Sequence, residues 1–479
     1  MKLKSKWMYV LLSLTIAVTA SACSGSADSN NGVNGTPQNI KSNQGTDAAG
    51  QGTSQSTGQG TGDVKQGTDQ SSEQGMGDAK PDTDQSADQS TGQSSAESVG
   101  TKNGAVNSAG VKGAKSAQIQ ALLTGFKLVG DRTIFTWGKA SKGSVRVYRS
   151  GDAGKTWTDI SPSPAVSAVD ADSTFAAWDE RHLLLLSAQN NGTRKVMHSK
   201  DGGKTWSSGP VLPYAINAET ALISSTQGYL LTESDAAMGH SGKTFYKTAN
   251  GGVTWTKVMD NSEASLPREE EAKKGLMPQY GFTGYGVSFR DLKHGWVPMQ
   301  SRDGVPRLVR TTDGGVSWKL VDLSKAANWD GNNPQITAAP VFFGKNHLQG
   351  WMPLSIHKDK AYDIGGFRTR DGGESWVYLP FEQNIPEGSR IADCSPVFVS
   401  PDKGWFWNGT ELKTTVNGAK SWQVLKVNSE FKKSISSFPE MKELQFTDAR
   451  HGWVLLTSED SEHSRLLKTE DGGITWEIV

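Results

Sequence analysis

Thr311-Thr312-Asp313-Gly314-Gly315-Val316-Ser317-Trp318 decides the fold of this chain, because close copies of this octapeptide occur seven times. The common form is Ser/Thr-x-Asp/Asn-x-Gly-x-Ser/Thr-Trp. The third positions are Asp152, Asp201, Asn250, Asp313, Asp371, Asn417 and Asp471, and the copies end at Trp157, Trp206, Trp255, Trp318, Trp376, Trp422 and Trp476. Successive tryptophans are 46 to 63 residues apart, which fits one four-stranded unit with its connections. The chain is therefore a repeat protein.

Each residue type in the octapeptide has a mechanical reason. An Asp or Asn side chain can accept hydrogen bonds from nearby backbone amides, and glycine allows the positive φ of a tight reversal. β-favouring residues precede and follow the turn, as in 145–148 and 475–479. These features predict a hairpin between two antiparallel strands, over which the tryptophan folds back. Where Asn250 and Asn417 replace Asp, an amide oxygen can still hold the turn.

The octapeptide resembles the Asp-box, or BNR repeat, of sialidases, sortilin-type receptors, some glycoside hydrolases and the photosystem II assembly and stability factor family. A second repeated element precedes the later copies, with His294-Gly295-Trp296-Val297 and His451-Gly452-Trp453-Val454 as its clearest forms. An aspartate lies three residues before each of these histidines. Among the families named, this pairing of elements is most similar to the photosystem II assembly factors.

We predict an all-β fold, a seven-bladed β-propeller with Asp-box hairpins over residues 116–479. Radial packing of four-stranded blades protects the edges that an isolated sheet would expose. The first unit begins with its own first strand, and the last ends just after an outer strand. We therefore expect the ring to close by packing of the first blade against the seventh, without a shared blade.

The N-terminus has the pattern of an export signal. Three of the first six residues are lysines, the apolar run that follows is too short to span a membrane, and Ala20-Ser21-Ala22-Cys23 resembles a bacterial lipobox. We predict a lipoprotein signal peptide at 1–22 and lipidation of Cys23, which would anchor the chain on the extracytoplasmic side of the bacterial cell membrane. A plain secretory signal with an incidental cysteine is the alternative.

Residues 23–115 are predicted to be a disordered, lipid-anchored linker. Gly, Ser, Gln and Thr dominate this segment, and it contains no aromatic residue, so it cannot bury enough apolar area to offset the entropy of ordering. The other cysteine, Cys394, would then have no disulfide partner in the chain, and we interpret it as a small core residue.

The sequence predicts no catalytic residue, no cofactor and no metal site. With 50 basic and 50 acidic residues, nothing favours nucleic acid as a partner. A sialidase would show an Arg-Ile-Pro signature near the start of the domain, and the nearest string here is Arg132-Thr133-Ile134. Asp291 and Asp448, like His294 and His451, recur with the repeated turn and are interpreted as turn-forming residues.

Function is expected in the loops between blades, which differ in length and content on a rigid repeated frame. The longest loop, 260–286, contains a charged run at 268–274 that we interpret as a solvated helical turn. Another, 324–335, contains Trp329, the residue that we predict to contact a partner.

We thus expect a monomeric, membrane-anchored propeller that acts as a non-enzymatic binding or assembly scaffold. Its partner would be an extracytoplasmic protein or a cell-wall component. The alternative is a carbohydrate-active or carbohydrate-binding propeller, related to sialidases or glycoside hydrolases.

Overall fold

The computed structural model describes residues 118–167, 174–237, 239–262, 266–300, 303–329, 332–389 and 395–479. Within these ranges the strands form seven antiparallel sheets, each made of strands that are consecutive in the chain. The all-β, seven-bladed β-propeller is therefore confirmed. The predicted signal peptide, the linker, Cys23 and Cys394 lie outside the described residues.

The blades are numbered along the chain, and each begins with its innermost strand. Blade 1 contains β1 (Leu122–Val129), β2 (Thr133–Lys139), β3 (Val145–Ser150) and β4 (Thr158–Asp159). Blade 2 contains β5 (Thr174–Ala177), β6 (Leu183–Ala188), β7 (Thr193–Ser199) and β8 (Ser207–Tyr214). Blade 3 contains β9 (Asn217–Leu222), β10 (Gly228–Ala237), β11 (His240–Thr248) and β12 (Thr256–Asp260), and helix α1 (Arg268–Lys273) follows it.

Blade 4 contains β13 (Ser288–Phe289), β14 (Gly295–Met299), β15 (Arg307–Thr311) and β16 (Lys319–Leu320). In blade 5 the innermost strand is split into β17 (Asn333–Ile336) and β18 (Val341–Phe343), followed by β19 (Gln349–Lys358), β20 (Ala361–Thr369) and β21 (Val377–Pro386). Blade 6 contains β22 (Val397–Phe398), β23 (Gly404–Trp407), β24 (Leu412–Thr415) and β25 (Gln423–Val424). Helix α2 (Ser429–Ser437) precedes blade 7, which contains β26 (Glu440–Phe446), β27 (Gly452–Thr457), β28 (Ser464–Thr469) and β29 (Glu477–Ile478).

The first strands of the blades contact one another and so surround the axis of the ring. Strand β1 contacts β5 on one side and β26 on the other, and β22 also contacts β26. Blades 1 and 7 exchange no strand, as expected. They are joined instead by packing of Trp453 in the apolar cluster of blade 1 and by a bond from the Leu123 N–H to Ser464 Oγ of 2.9 Å.

The octapeptide turns are held by their own side chains, as the sequence predicts. In blade 4 the backbone N–H and the hydroxyl of Ser317 donate to the two carboxylate oxygens of Asp313, at 2.9 and 2.6 Å. The Gly315 N–H donates to Thr311 Oγ1 at 2.9 Å. In blade 3 the amide oxygen of Asn250 accepts the equivalent backbone bond, while its Nδ2 donates to the Thr254 hydroxyl. The Asn250 amide thus replaces the carboxylate of the other turns. The bond to the hydroxyl is reversed, because the side chain of Asn250 donates it whereas Asp313 accepts it.

The turn between the first two strands of each blade lies at the same end of the propeller as the octapeptide, which defines the octapeptide face. In blade 4 the Gly314 N–H donates to the Lys293 carbonyl at 3.0 Å, and blade 7 repeats this bond between Gly472 and Arg450. The connections between blades leave from the opposite end, but two of them reach back to the octapeptide of the following blade: the Trp318 N–H donates to the Gly275 carbonyl at 2.8 Å, and the Asn428 N–H donates to the Ile474 carbonyl at 2.9 Å.

The tryptophans of both repeated elements lock neighbouring blades together. As predicted, the Trp318 indole folds over its own turn and donates to the Gly315 carbonyl at 3.0 Å. It also packs edge-on against Phe245 of the preceding blade, a contact that the repeat alone did not predict. In the other element, Trp405 donates to the Gly472 carbonyl of the following blade at 2.9 Å.

Candidate functional site

Two innermost strands carry a glutamate at the same position of the strand pairing. Glu219 pairs with Leu231 and Glu443 pairs with Leu455, in each case three residues after the start of the second strand. The two glutamates belong to blades 3 and 7. Each binds the innermost segment of the next blade: Glu219 Oε1 accepts from the Gly286 N–H at 2.9 Å, and Glu443 Oε2 accepts from the Phe126 N–H at 3.2 Å.

These carboxylates connect neighbouring blades. Glu219 is buried, with 8% of its surface exposed, whereas Glu443 keeps more exposed surface. Burial raises the pKa of each to about 7. Because an ionised carboxylate is costly to bury, the ring holds these groups partly protonated near neutral pH.

We expect Glu219→Gln to remove a pH dependence of stability. The folded protein keeps the Glu219 proton up to about pH 7, but an unfolded chain releases it near pH ~4.3. The stabilisation from that proton is therefore complete below pH ~4.3 and is lost as pH rises through 7. At pH 8 the variant should be more stable than the wild type by about 3–4 kcal/mol, and at pH 4 the two should be equal. Urea denaturation at both pH values measures this. An equal difference at both pH values would contradict it.

A cleft lined by aromatic residues lies between the innermost strands of blades 5 and 6 and has a volume of about 220 Å³. We call it the axial cleft. Its walls include Trp351, Phe381 and Phe398, and Phe446 of blade 7 also lines it. Trp351 and Phe398 stack with their ring centroids 4.3 Å apart. Val341, which is 45% exposed, lies at its edge. The break between β17 and β18 makes room for the cleft beside the axis.

The polar groups of the axial cleft are already bonded within the ring. Ser395 Oγ donates to Thr337 Oγ1 at 2.9 Å, and Gln445 Nε2 donates to the Phe126 carbonyl at 3.3 Å. Gln445 also bonds to Glu443. The cleft therefore offers mainly apolar surface, and its volume suits one side chain or ring, since an engineered cavity of ~150 Å³ holds benzene.

Trp329 was predicted to contact a partner, but the structure buries its ring as a packing residue. Only 5% of its surface is exposed, and its indole N–H donates to the Leu323 carbonyl at 2.9 Å. Its ring packs against Phe367 and Tyr378 of blade 5. The loop thus folds inward over the blade, so Trp329 presents no surface to a partner.

The charged run at 268–274 forms helix α1 (Arg268–Lys273), as interpreted, but the helix is not wholly solvated. Glu271 is only 3% exposed and accepts from the Gln279 N–H at 3.2 Å. Arg268 lies over the ring of Tyr280, 4.0 Å from its centroid. The helix is therefore part of the packed connection between blades 3 and 4.

The aspartates of the repeated turns form turns, as interpreted. Asp291 Oδ1 accepts from the backbone N–H groups of Lys293 and His294, and the His294 ring also bonds to this carboxylate. Although burial raises its pKa, these bonds lower the pKa of Asp291 to about 2. Asp448 and His451 repeat the arrangement. A carboxyl held ionised in this way is a poor general acid.

The described part of the chain contains neither a metal-binding cluster nor a membrane-spanning helix. No group of three or more His, Cys, Asp or Glu side chains there is placed to hold a metal ion. Neither of its helices has the length and apolar character needed to cross a membrane.

Comparison with known proteins shows resemblance in fold only. No protein-family model matches the chain, and no curated protein matches it. A fucose-specific lectin from Aleuria aurantia is 11% identical, with a TM-score of 0.40, and the match covers 73% of this chain and 91% of the lectin. An ulvan lyase is 10% identical, with a TM-score of 0.46, over 76% of this chain and 98% of the lyase. The GH74 enzyme of Niastella koreensis is 12% identical, with a TM-score of 0.39, over 75% of this chain and 60% of the enzyme. Similarity of this degree says nothing about ligand or chemistry.

Proposed function

We propose that this chain is a membrane-anchored, extracytoplasmic propeller that binds another envelope protein and assists its assembly without catalysing a reaction. The axial cleft carries the proposal: it is an aromatic-lined recess in a rigid ring, of a size to receive one apolar side chain. Apolar clefts with buried aromatic walls are typical anchor sites for a protein partner. The predicted signal peptide at 1–22, with lipidation of Cys23, supports the location, and the resemblance of the repeats to the photosystem II assembly factors supports the role.

The lining of the axial cleft does not favour a carbohydrate ligand. A sugar needs several hydrogen-bonding groups at fixed positions, but Ser395 and Gln445 already bond to neighbouring strands. The Trp351 ring is 2% exposed and its indole N–H donates to the Pro401 carbonyl. An apolar protein side chain requires none of these groups.

Crosslinking in native membranes tests the proposal. We would crosslink the full-length protein in its own membranes and isolate it with its partners. The wild type would be compared with Val341→Asp, which puts a charge at the mouth of the cleft. The matched control is Val211→Asp, since Val211 is 62% exposed on the outer strand of blade 2.

We expect one envelope protein to be enriched with the wild type and with Val211→Asp, and its recovery to fall at least about tenfold with Val341→Asp, because a buried unpaired charge opposes apolar contact. Equal recovery with Val341→Asp and Val211→Asp would show that the partner does not bind at the axial cleft, and this part of the proposal would be overturned. Recovery of glycans alone would overturn the assembly role.

A further inference from the structure

The residue before the octapeptide is arginine in blades 1, 4 and 5, and in two of these it is paired with the next blade. Arg149 bonds to Glu180 of blade 2 at 2.8 Å. Arg310 bonds to Glu374, which lies in the octapeptide of blade 5, at 2.5 Å. The repeat therefore builds a charge pair across these two junctions.

At the junction of blades 5 and 6 the equivalent positions hold no charge pair. Arg368 occupies the place of Arg310, but the residue equivalent to Glu374 is Lys420. Arg370 stands where blade 4 has Thr312, and the turn residue of blade 6 is Asn417, where blade 5 has Asp371. Each of these differences makes the junction more positive than the one before it.

The three cations line one groove, which we call the basic groove. Arg368, Arg370 and Lys420 surround a recess of about 440 Å³ with Ser375, Val377 and Gly418. Within the described residues no carboxylate lines it, and none of the three cations has a carboxylate oxygen within 4.0 Å.

The carboxylates near the basic groove are directed to other partners or lie beyond ion-pair distance. Asp371 accepts from the hydroxyls of Ser375 and Thr369, within its own turn. Asp402 Oδ1 and an Arg368 terminal nitrogen both lie close to Gly418, but they are not within ion-pair distance of each other. Within the described residues the basic groove therefore combines three cations with no carboxylate at ion-pair distance.

We propose that the basic groove binds a phosphate group. Guanidinium groups present paired donors that match phosphate oxygens, and an ammonium group adds a point charge. Here two guanidinium groups come from blade 5 and the ammonium group from blade 6, so one phosphate bridges the blades as Glu374 does at the preceding junction. The ligand is a free phosphate ion or the phosphodiester headgroup of a lipid.

Titration of the full-length protein at low salt tests the site. Inorganic phosphate and the soluble headgroup glycerophosphoglycerol are the probes, followed by calorimetry. Lys420→Glu reproduces the pairing seen at Arg310, so the variant should fold, and its affinity for phosphate should fall at least about tenfold because it neutralises Arg368. The matched control is Lys204→Glu, at the same octapeptide position of blade 2, where Arg149 is already paired. This control should bind phosphate as the wild type does.

Introducing the residues of the basic groove at another junction gives a second test. Glu374→Lys combined with Thr312→Arg should add a second phosphate site at the junction of blades 4 and 5. Stronger binding of inorganic phosphate than of glycerophosphoglycerol identifies the free ion as the ligand, and the reverse identifies a headgroup. The proposal is overturned if neither probe binds at about 10 mM or if Lys420→Glu and Lys204→Glu bind phosphate equally.

Discussion

Trp405→Ala is expected to lower the free energy of unfolding by about 3–5 kcal/mol, the range for removing a large buried aromatic residue. Trp405 is fully buried, and its ring stacks on Phe446 of blade 7 with centroids 3.6 Å apart. Its indole N–H donates to the Gly472 carbonyl. The substitution therefore opens a cavity between two blades and leaves a buried carbonyl without its donor. Guanidinium denaturation measures the loss.

Trp178→Ala is the control for this prediction. Trp178 is 45% exposed, so its removal should change stability by no more than about 0.5 kcal/mol. A loss below about 1 kcal/mol for Trp405→Ala would show that blades 6 and 7 do not depend on this contact.

The hairpins and the blade count could be predicted from sequence because the interactions that form them are local. The Asp313 carboxylate bonds to Ser317 four residues later, and Thr311 bonds to Gly315 over the same separation. Such contacts fix residue types at fixed spacing, so they repeat visibly in the sequence. The contact of Trp318 with Phe245 joins two blades, so it produces no fixed spacing of residue types in the sequence.

The axial cleft could not be predicted for the same reason. Trp351 belongs to the repeated Gly-Trp element, and its contact with Phe398 joins two blades. The one local sign in the sequence is Pro340, which lies at the break between β17 and β18 in the innermost strand of blade 5. The prediction for Trp329 was wrong because its place in a variable loop suggested exposure, whereas its burial depends on Phe367 and Tyr378 of blade 5.

Lys243 and Glu233 form a buried pair in blade 3 that the sequence analysis did not single out. Lys243 is fully buried, with its Nζ 3.8 Å from Glu233 Oε1. It also donates to the carbonyls of Gln279 and Gly281, at 3.0 and 2.8 Å, in the connection to blade 4. Burial lowers the pKa of Lys243 to about 8, so at neutral pH it remains mostly protonated and pairs with the carboxylate.

Lys243→Met is expected to lower the free energy of unfolding at pH 7 by about 3–5 kcal/mol, because it leaves Glu233 as an uncompensated buried charge. The two carbonyls of the connection also lose their shared donor. Urea denaturation measures the effect. Glu233→Gln added to Lys243→Met should restore part of the loss, since it removes the unpaired charge, and the double-mutant cycle isolates the coupling between the two groups.

Lys257→Met is the matched control, because Lys257 is 56% exposed and pairs with Asp260 on the surface of the same blade. Exposed ion pairs contribute about 0–1 kcal/mol, so this variant should stay close to the wild type. If Lys243→Met cost no more than Lys257→Met, the buried pair would not hold blade 3 to the connection that leads into blade 4. A large loss that Glu233→Gln failed to reduce would instead assign the effect to the carbonyls of Gln279 and Gly281, and the charge pair would contribute little.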